Sequence, residues 1–463
     1  MTNLCFAVRC AEPQPSQCVH LFHAKHNTMR LLSKFTCLIV SLCGVASALH
    51  AQSPAPAPKQ AGPVLILGAT AHIGDGTLIP NSAVAFENGK IMMVADATTI
   101  RIDQSRYAKI FDANGKQLFP GFIGMNSRLG LVEIDAVRAT QDFSETGAFN
   151  PNARAIIAYN TDSDLIPTVR SNGVLLAQIC PSGGVLSGAS SVVALDAWNW
   201  EDAAVRVDEG LHLNWPSRRQ WRGWETGDPQ RQANERYAKE VEALKRFFDE
   251  AAAYVKESAP AVRNPRFESM RALFSGKQTL YIRVNEATPM QEAVLFAKKY
   301  GLKPTLTGAS DAWLIADFLA QEGVSLVLGR TQSLPARDDD DIDQPFKTPA
   351  MLHEKGVRFC FSEEGAWRQR NTPFQAGQAV AYGLPYEAAV RALTLDAATI
   401  LGISDRLGSI EMGKEATLFI SEGDPLDMRG NRVIAAFIAG REIELDDKHK
   451  QLYRRYEKKY KQR

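Results

Sequence analysis

The sequence predicts an α/β protein, a (β/α)8 barrel beside a small β-sandwich domain built from both chain ends. Three observations predict it. Short β-rich runs alternate with amphipathic helical stretches through the middle of the chain, which argues for a parallel sheet with crossover helices. Five or more such units fall within about 290 residues, which suits a closed barrel better than an open sheet. Short strands with turn signals then recur on both sides of that region, so the two sets are expected to pair.

In the barrel region the β-type runs are GVLLAQIC (173–180), TLYIRVN (279–285), PTLTG (304–308), VSLVLG (324–329) and VRFCF (357–361). Residues 289–301, 309–323 and 385–402 place apolar side chains at i, i+3 and i+4, the spacing of one helix face. Residues 63–96 alternate β-rich runs with the turn signals Gly74-Asp75-Gly76, Pro80-Asn81 and Asn88-Gly89, as a small antiparallel sheet would. Residues 413–424 and 431–443 return to short strands. The domains expected are an N-terminal extension with signal peptide (1–51), a linker (52–62) and the N-terminal half of the β-sandwich (63–118). The barrel follows (119–407, with an insertion at about 198–275), then the C-terminal half of the β-sandwich (408–445) and a basic tail (446–463).

A chain of 463 residues, 45% hydrophobic and 23% charged, can bury a large core. Its formal net charge of +1 gives no global field toward nucleic acid or membranes. From Met29, the basic Arg30 and Lys34, the apolar run 35–45 and the small residues of 46–51 read as a secretory signal peptide. The run is too short for a membrane span. Residues 1–28 are unlike a signal n-region, so Met29 is the expected start, and the protein is expected in the periplasm or outside the cell, with no membrane span after signal removal. The Pro- and Ala-rich run 53–63 reads as an extended linker. Five of the seven cysteines precede it, leaving Cys180 and Cys360 in apolar surroundings. That is no disulfide scaffold, although one bridge between them stays open.

Specific segments carry a family resemblance. DANGKQLFPGFIGMNSRLGL (112–131) resembles the opening barrel strand of the amidohydrolase superfamily, and GLPYEAAVRALTLDAATILGISDRLGSIEMGKEATLFISEGDPL (383–426) resembles its closing segment. NGVLLAQICPSGGVLSGASSVV (172–193) is similar to the imidazolonepropionase-like branch. The resemblance runs from about 64 to 445. It implies a distorted TIM-like barrel with a β-sandwich at its side. It also implies hydrolysis of non-peptide, cyclic-amide-like C–N bonds by metal-activated water.

That chemistry needs a cation, held by imidazoles and carboxylates, to lower the pKa of water. The positions matching the family's His-x-His pair are Asn126 and Arg128. The next two histidines fall on Arg283 and Thr307, and a Lys that this branch can carry falls at Ala194-Leu195. The final Asp, the general base, falls on Glu364, the one position that stays a carboxylate. A guanidinium has no lone pair for a metal and repels one. The resemblance therefore implies Glu364 as catalytic candidate, Asn126, Arg128, Arg283 and Thr307 as substrate-binding candidates, and no metal ligand. No cofactor is expected, and zinc only if family behaviour persists without the family's ligands. The four histidines beyond the signal segment cannot assemble a four-His site, although a one-His site with acidic partners stays open: His72 lies in the small sheet, His449 in the tail, His353 on a helix at the wrong barrel end, and His212 in a loop-like insertion.

If Arg128 and Arg283 face the mouth with Glu364, they either bind a carboxylate or phosphate, or one pairs with Glu364 and fills the ion's place. The second is favoured because a buried charge must be paired. The acidic run 337–343 reads as a cation or amine clamp or, more commonly for charge runs, as a solvated loop. Trp198, Trp200, Trp215, Trp221 and Trp224, with Arg218, Arg219 and Arg222, either line a pocket for a planar or peptide-like ligand or pack the insertion. Residues 233–257 form an amphipathic helix. The basic tail puts Leu452, Tyr453, Tyr456 and Tyr460 on one helical face, for the small domain, a partner, solvent or a membrane surface. Two functions stand: a hydrolase with an altered site, or a non-catalytic subunit or binding protein, taking a small-molecule or peptide-like ligand or pairing with an intact paralogous amidohydrolase. Nucleic acid is not an expected partner.

Overall fold

The structure, a computed structural model, describes residues 55–222 and 230–462. The signal segment expected over 29–51 and Trp224 lie outside the described residues, as do the side chains of Trp221 and Arg222.

The small domain uses β1 (Val64–His72), β2 (Leu78–Glu87), β3 (Lys90–Asp96), β4 (Lys109–Asp112) and β5 (Gln117–Pro120). β1 is long enough to pair β4 along Val64–Leu67 and β5 at Thr70 and Ala71, with β2 antiparallel on its other edge. Gly68 makes this possible: at φ 85° it carries the bulge between the two halves, and a Cβ there would sit 2.2 Å from Asn114 Oδ1. Residues 55–62 have no regular structure but are tied down, because Gln60 bonds to Phe86 O and to Gly89 N and the Ala57 N–H donates to Asp196.

The barrel strands are β6 (Phe122–Ser127), β7 (Val174–Ile179), β8 (Leu186–Ala194) and β9 (Ala204–Asn214), then, past the β10 (Arg219–Arg222) and β11 (Gln230–Ala233) hairpin, β12 (Thr279–Val284), β13 (Pro304–Gly308), β14 (Ser325–Leu328) and β15 (Phe359–Phe361). They pair in the order β15-β14-β13-β12-β9-β8-β7-β6, and a parallel bridge from Met125 to Ser362 brings the two ends together. This is the expected barrel with one departure. β8 runs antiparallel to both β7 and β9. The connection 180–185 is a short Pro-Ser-Gly-Gly turn, which can return a strand only antiparallel, since a parallel crossover needs a dozen residues.

The helices include α1 (Tyr237–Lys256), which buries Leu244, Phe248 and Ala251, α2 (Ala287–Lys299), α3 (Gln344–Glu354), α4 (Thr372–Ala381), α5 (Tyr386–Leu393) and α6 (Leu395–Ile400). After β16 (Leu418–Ser421), β17 (Val433–Ile438) and β18 (Arg441–Glu442), α7 (Lys448–Lys461) ends the chain and buries no residue. β16 lies antiparallel on β5, so both chain ends share one sheet. The sheet folds over on itself. Phe86 of β2 and Phe437 of β17 stand four strands apart in order, about 19 Å in a flat sheet, yet their ring centroids are 5.0 Å apart. The core between the two wings is thus sandwich-like.

The barrel interior is layered. Ile123, Met125, Leu176, Val192, Val327 and Cys360 pack with Tyr281 over α6, whose Ala397, Ala398 and Leu401 seal one end. Above them lies a polar layer centred on Glu209, and above that the mouth. Cys180 and Cys360 are both free and buried, which closes the question of a bridge between them. No helix among the described residues is long and apolar enough to cross a membrane.

Candidate functional site at the barrel mouth

The five positions singled out in the sequence meet. Asn126, Arg128, Arg283, Thr307 and Glu364 line one pocket, together with Cys180, Ser182, Ser187, His212 and Asn214. Strand alternation explains the convergence. Tyr281 and Arg283 are two apart on β12 and share the inner face, as do Gln178 and Cys180 at the end of β7. Asn126 adopts a left-handed φ of 51°, which Asn tolerates better than most residues. Its N–H donates to Gln178 Oε1 at 3.1 Å.

One of the two guanidinium charges at the mouth is matched by a carboxylate. Arg283 reaches both oxygens of Glu364, at 2.7 and 2.9 Å. Arg128 lies over the Phe143 ring, 4.3 Å from its centroid, and donates to Ser182 Oγ at 3.0 Å. The space left between these side chains is small, about 20 Å³, room for on the order of one water.

His212 corrects the sequence reading. It does not lie in a loop-like insertion: it sits on β9, a barrel strand between β8 and β12, facing the mouth. The alternation of Leu211, His212 and Leu213, two apolar residues pointing outward around a polar one pointing in, was the available signal. Its ring stacks on Tyr281 at 4.8 Å, and burial pushes its pKa down to about 3, so the imidazole is neutral. Its Nε2 is buried without a hydrogen-bond partner. Beneath it, Glu209 accepts hydrogen bonds from Ser190 Oγ (2.5 Å), Gln178 Nε2 (2.7 Å) and the Tyr281 hydroxyl (3.0 Å). Burial raises the Glu209 pKa against these bonds. Burial also pushes the Cys180 thiol well up, which removes it as a thiolate nucleophile.

Glu363, beside Glu364, points the other way, behind the strand. It is 1% exposed, with Arg330 and Arg368 at 3.7 and 3.8 Å and a hydrogen bond from Gln375. Burial raises its pKa to about 7.

The other sequence candidates disperse. Trp200 precedes β9 and Trp215 follows it, so they stand about 30 Å apart along the strand and cannot share a pocket. Trp215 is a core residue that donates to the Tyr237 hydroxyl, and Trp198 is exposed. Four aspartates of the acidic run are paired within the chain, sharing two cations: Arg337 with Asp340 and Asp339, and Lys347 with Asp341 and Asp343. His72 is a structural side chain, held by Glu387 and Gln117 and stacked on Phe119. His353 and His449 are exposed.

A divalent ion does not fit the mouth. His212 offers the single neutral imidazole, the Glu364 carboxylate is occupied by Arg283, and Arg128 and Arg283 supply positive charge where ligands would stand. Among the described residues no three His, Cys, Asp or Glu side chains are grouped to share an ion.

Comparison with known proteins agrees with the fold. A model of the Amidohydrolase family matches residues 304–443. The amidohydrolase tasK of Hapsidospora irregularis is 22% identical over 353 residues, 69% of this chain and 36% of that protein. The chain thus spans about a third of the length of that curated relative. Among solved structures, an amidohydrolase from Thermotoga maritima MSB8 matches with a TM-score of 0.70 at 22% identity, covering 82% of this chain and 99% of that one. A Xaa-Pro dipeptidase with methionine bound in its active site matches at 0.50 and 14% identity, covering 82% and 100%. The class is that of an eight-stranded barrel with a folded sheet at its side. The chain shares the fold of amidohydrolases, and its residues 304–443 match the Amidohydrolase family.

Proposed function

We propose that this protein keeps the amidohydrolase scaffold without its metal-dependent hydrolysis and works as a non-catalytic binding protein, exported to the periplasm or secreted. The observation that carries the reading is the Arg283–Glu364 pair. It ties the one retained carboxylate to a guanidinium in place of an ion, and Arg128 stands at a second ligand position. Asn126, Arg128, Arg283 and Thr307 then serve as a polar lining for a small-molecule or peptide-like ligand, or support a mouth that an intact paralogous amidohydrolase subunit covers. Metal analysis of the protein purified after incubation with zinc and with manganese tests this. Less than a tenth of an equivalent of bound metal is the expected result, and near-stoichiometric metal overturns the reading. The competing reading is a hydrolase of carbon–nitrogen bonds with Glu364 as base, favoured by the family match over residues 304–443. It requires a turnover that Glu364→Ala abolishes.

A further inference from the structure

Away from the mouth, and sharing no lining residue with it, a cleft of about 390 Å³ opens where separate segments of the fold meet. The short helix Leu165–Arg170 before β7 contributes Thr168, the 3-10 turn Trp367–Asn371 before α4 contributes Arg370, the residues leading into β17 contribute Asn431 and Arg432, and the first turn of α7 contributes Lys450. Its size is that of a small-molecule pocket, and domain junctions are where such pockets form.

Three polar atoms of its lining residues are buried without a hydrogen-bond partner: Arg370 Nη1, Thr168 Oγ1 and Asn431 Oδ1. Thr168 is only 8% exposed. Buried polar groups are normally satisfied, and leaving one unpaired costs about 1–3 kcal/mol. All three belong to residues that line one cleft, and a turn of each side chain toward the opening would give them a common partner. Arg370 is the telling one. It has no carboxylate partner among the described residues, and its guanidinium rests on the Trp367 ring at 3.9 Å. Burial lowers its pKa, as it does for a cation lacking a counter-charge. The nearby Asp447 does not serve it, because its oxygens accept from Ser171 and from the N–H groups of His449 and Lys450 at the start of α7.

The remaining charges have one sign. Lys450 is held by Asp447 at 3.5 Å, Ser171 and Leu445 O, whereas Arg432 reaches out to Glu422 with a side chain 75% exposed and can turn toward a ligand. Guanidinium, ammonium and hydroxyl donors line the space beside the Asp447 carboxylate, whose oxygens are taken up within the chain, and one amide oxygen is available to accept. We infer that this junction cleft binds an oxyanion group, phosphate or carboxylate, carried by a small molecule. Arg370 is its central contact, Thr168 donates a second hydrogen bond, and Asn431 accepts from a hydroxyl or N–H of the same ligand.

The test follows the thermal midpoint of the full chain and titration calorimetry with inorganic phosphate, acetate and chloride at matched ionic strength. Phosphate or acetate is expected to raise Tm above chloride, and the larger shift identifies the anion class. Phosphate also stabilises proteins by exclusion from their surfaces, so the variants decide. Arg370→Met is expected to weaken binding at least tenfold, and to leave Tm without ligand unchanged or slightly raised, because it removes a half-buried guanidinium whose Nη1 has no partner. Arg432→Gln, on an exposed side chain, and Thr168→Val provide independent losses of binding should Arg370→Met fold poorly. Shifts equal to that of chloride, or a phosphate shift that survives in these variants, overturn the inference.

Discussion

The barrel mouth and the junction cleft both gather arginines, but they differ in what faces those arginines. At the mouth Arg283 is matched by Glu364, and about 20 Å³ is free. At the junction Arg370 is paired with no carboxylate among the described residues, Asp447 being taken up by other donors, and about 390 Å³ is open. A charge already paired within the chain offers a ligand little, since the ligand must first displace the partner. An unpaired one offers the cost of its own burial. Arg283 at the mouth is therefore better satisfied than Arg370 at the junction.

The sharpest break of this comparison uses the same seam. Asp196 accepts from Arg170 at 2.6 Å and Arg441 at 2.7 Å, with side chains 5% and 7% exposed in the Asp196–Arg170 pair. Asp196→Ala leaves Arg170 buried and unpaired and is expected to cost on the order of 3–5 kcal/mol in urea unfolding. A loss below about 1 kcal/mol would mean that unpaired arginines are cheap at this seam, and the argument from Arg370 would fall with it.

The next effect concerns the floor of the mouth. A Cβ on Gly210 would stand 2.2 Å from the Tyr281 ring, the ring that carries His212 and holds Glu209. Gly210→Ala is expected to destabilise by roughly 1–3 kcal/mol through overpacking, read as a lower urea midpoint. An unchanged midpoint would show that the interior is looser than its layers imply.

Proton linkage separates the groups on the two sides of the barrel wall. Glu363, pushed up to about 7 from 4.5, binds its proton more tightly folded than unfolded. Its contribution is full below pH 4.5 and is lost as pH rises toward 7. His212, pushed down from 6.5 to about 3, does the reverse: its contribution is full above pH 6.5 and is lost as pH falls toward 3. Relative to wild type, Glu363→Gln should gain stability as pH rises from 4.5 to 7, and His212→Phe should gain it as pH falls from 6.5. Parallel pH profiles for the wild type and both variants would refute the two assignments.

The smallest effect is at the mouth pair. Arg283 and Glu364 are each about 40% exposed, so Glu364→Gln should change stability by less than about 1 kcal/mol. It should also give the mouth a weak, salt-sensitive affinity for anions that the wild type lacks, measurable by calorimetry in an Arg370→Met background. No gain would mean that Arg283 is held by more than Glu364.

The sequence by itself determined the barrel and the folded sheet shared by both ends, and the family resemblance of its segments pointed to Asn126, Arg128, Arg283, Thr307 and Glu364. Each strand's alternation fixes which side chains point inward, and that is a matter of immediate neighbours. Only the tertiary structure decided the rest. The reversed β8 depended on the length of one turn, and His212 on β9 being accepted between β8 and β12 as a barrel strand. The junction cleft gathers Thr168, Arg370, Asn431 and Lys450 from four distant segments. Whether a charge is paired or left bare is settled by residues remote in the chain, and no local pattern records it.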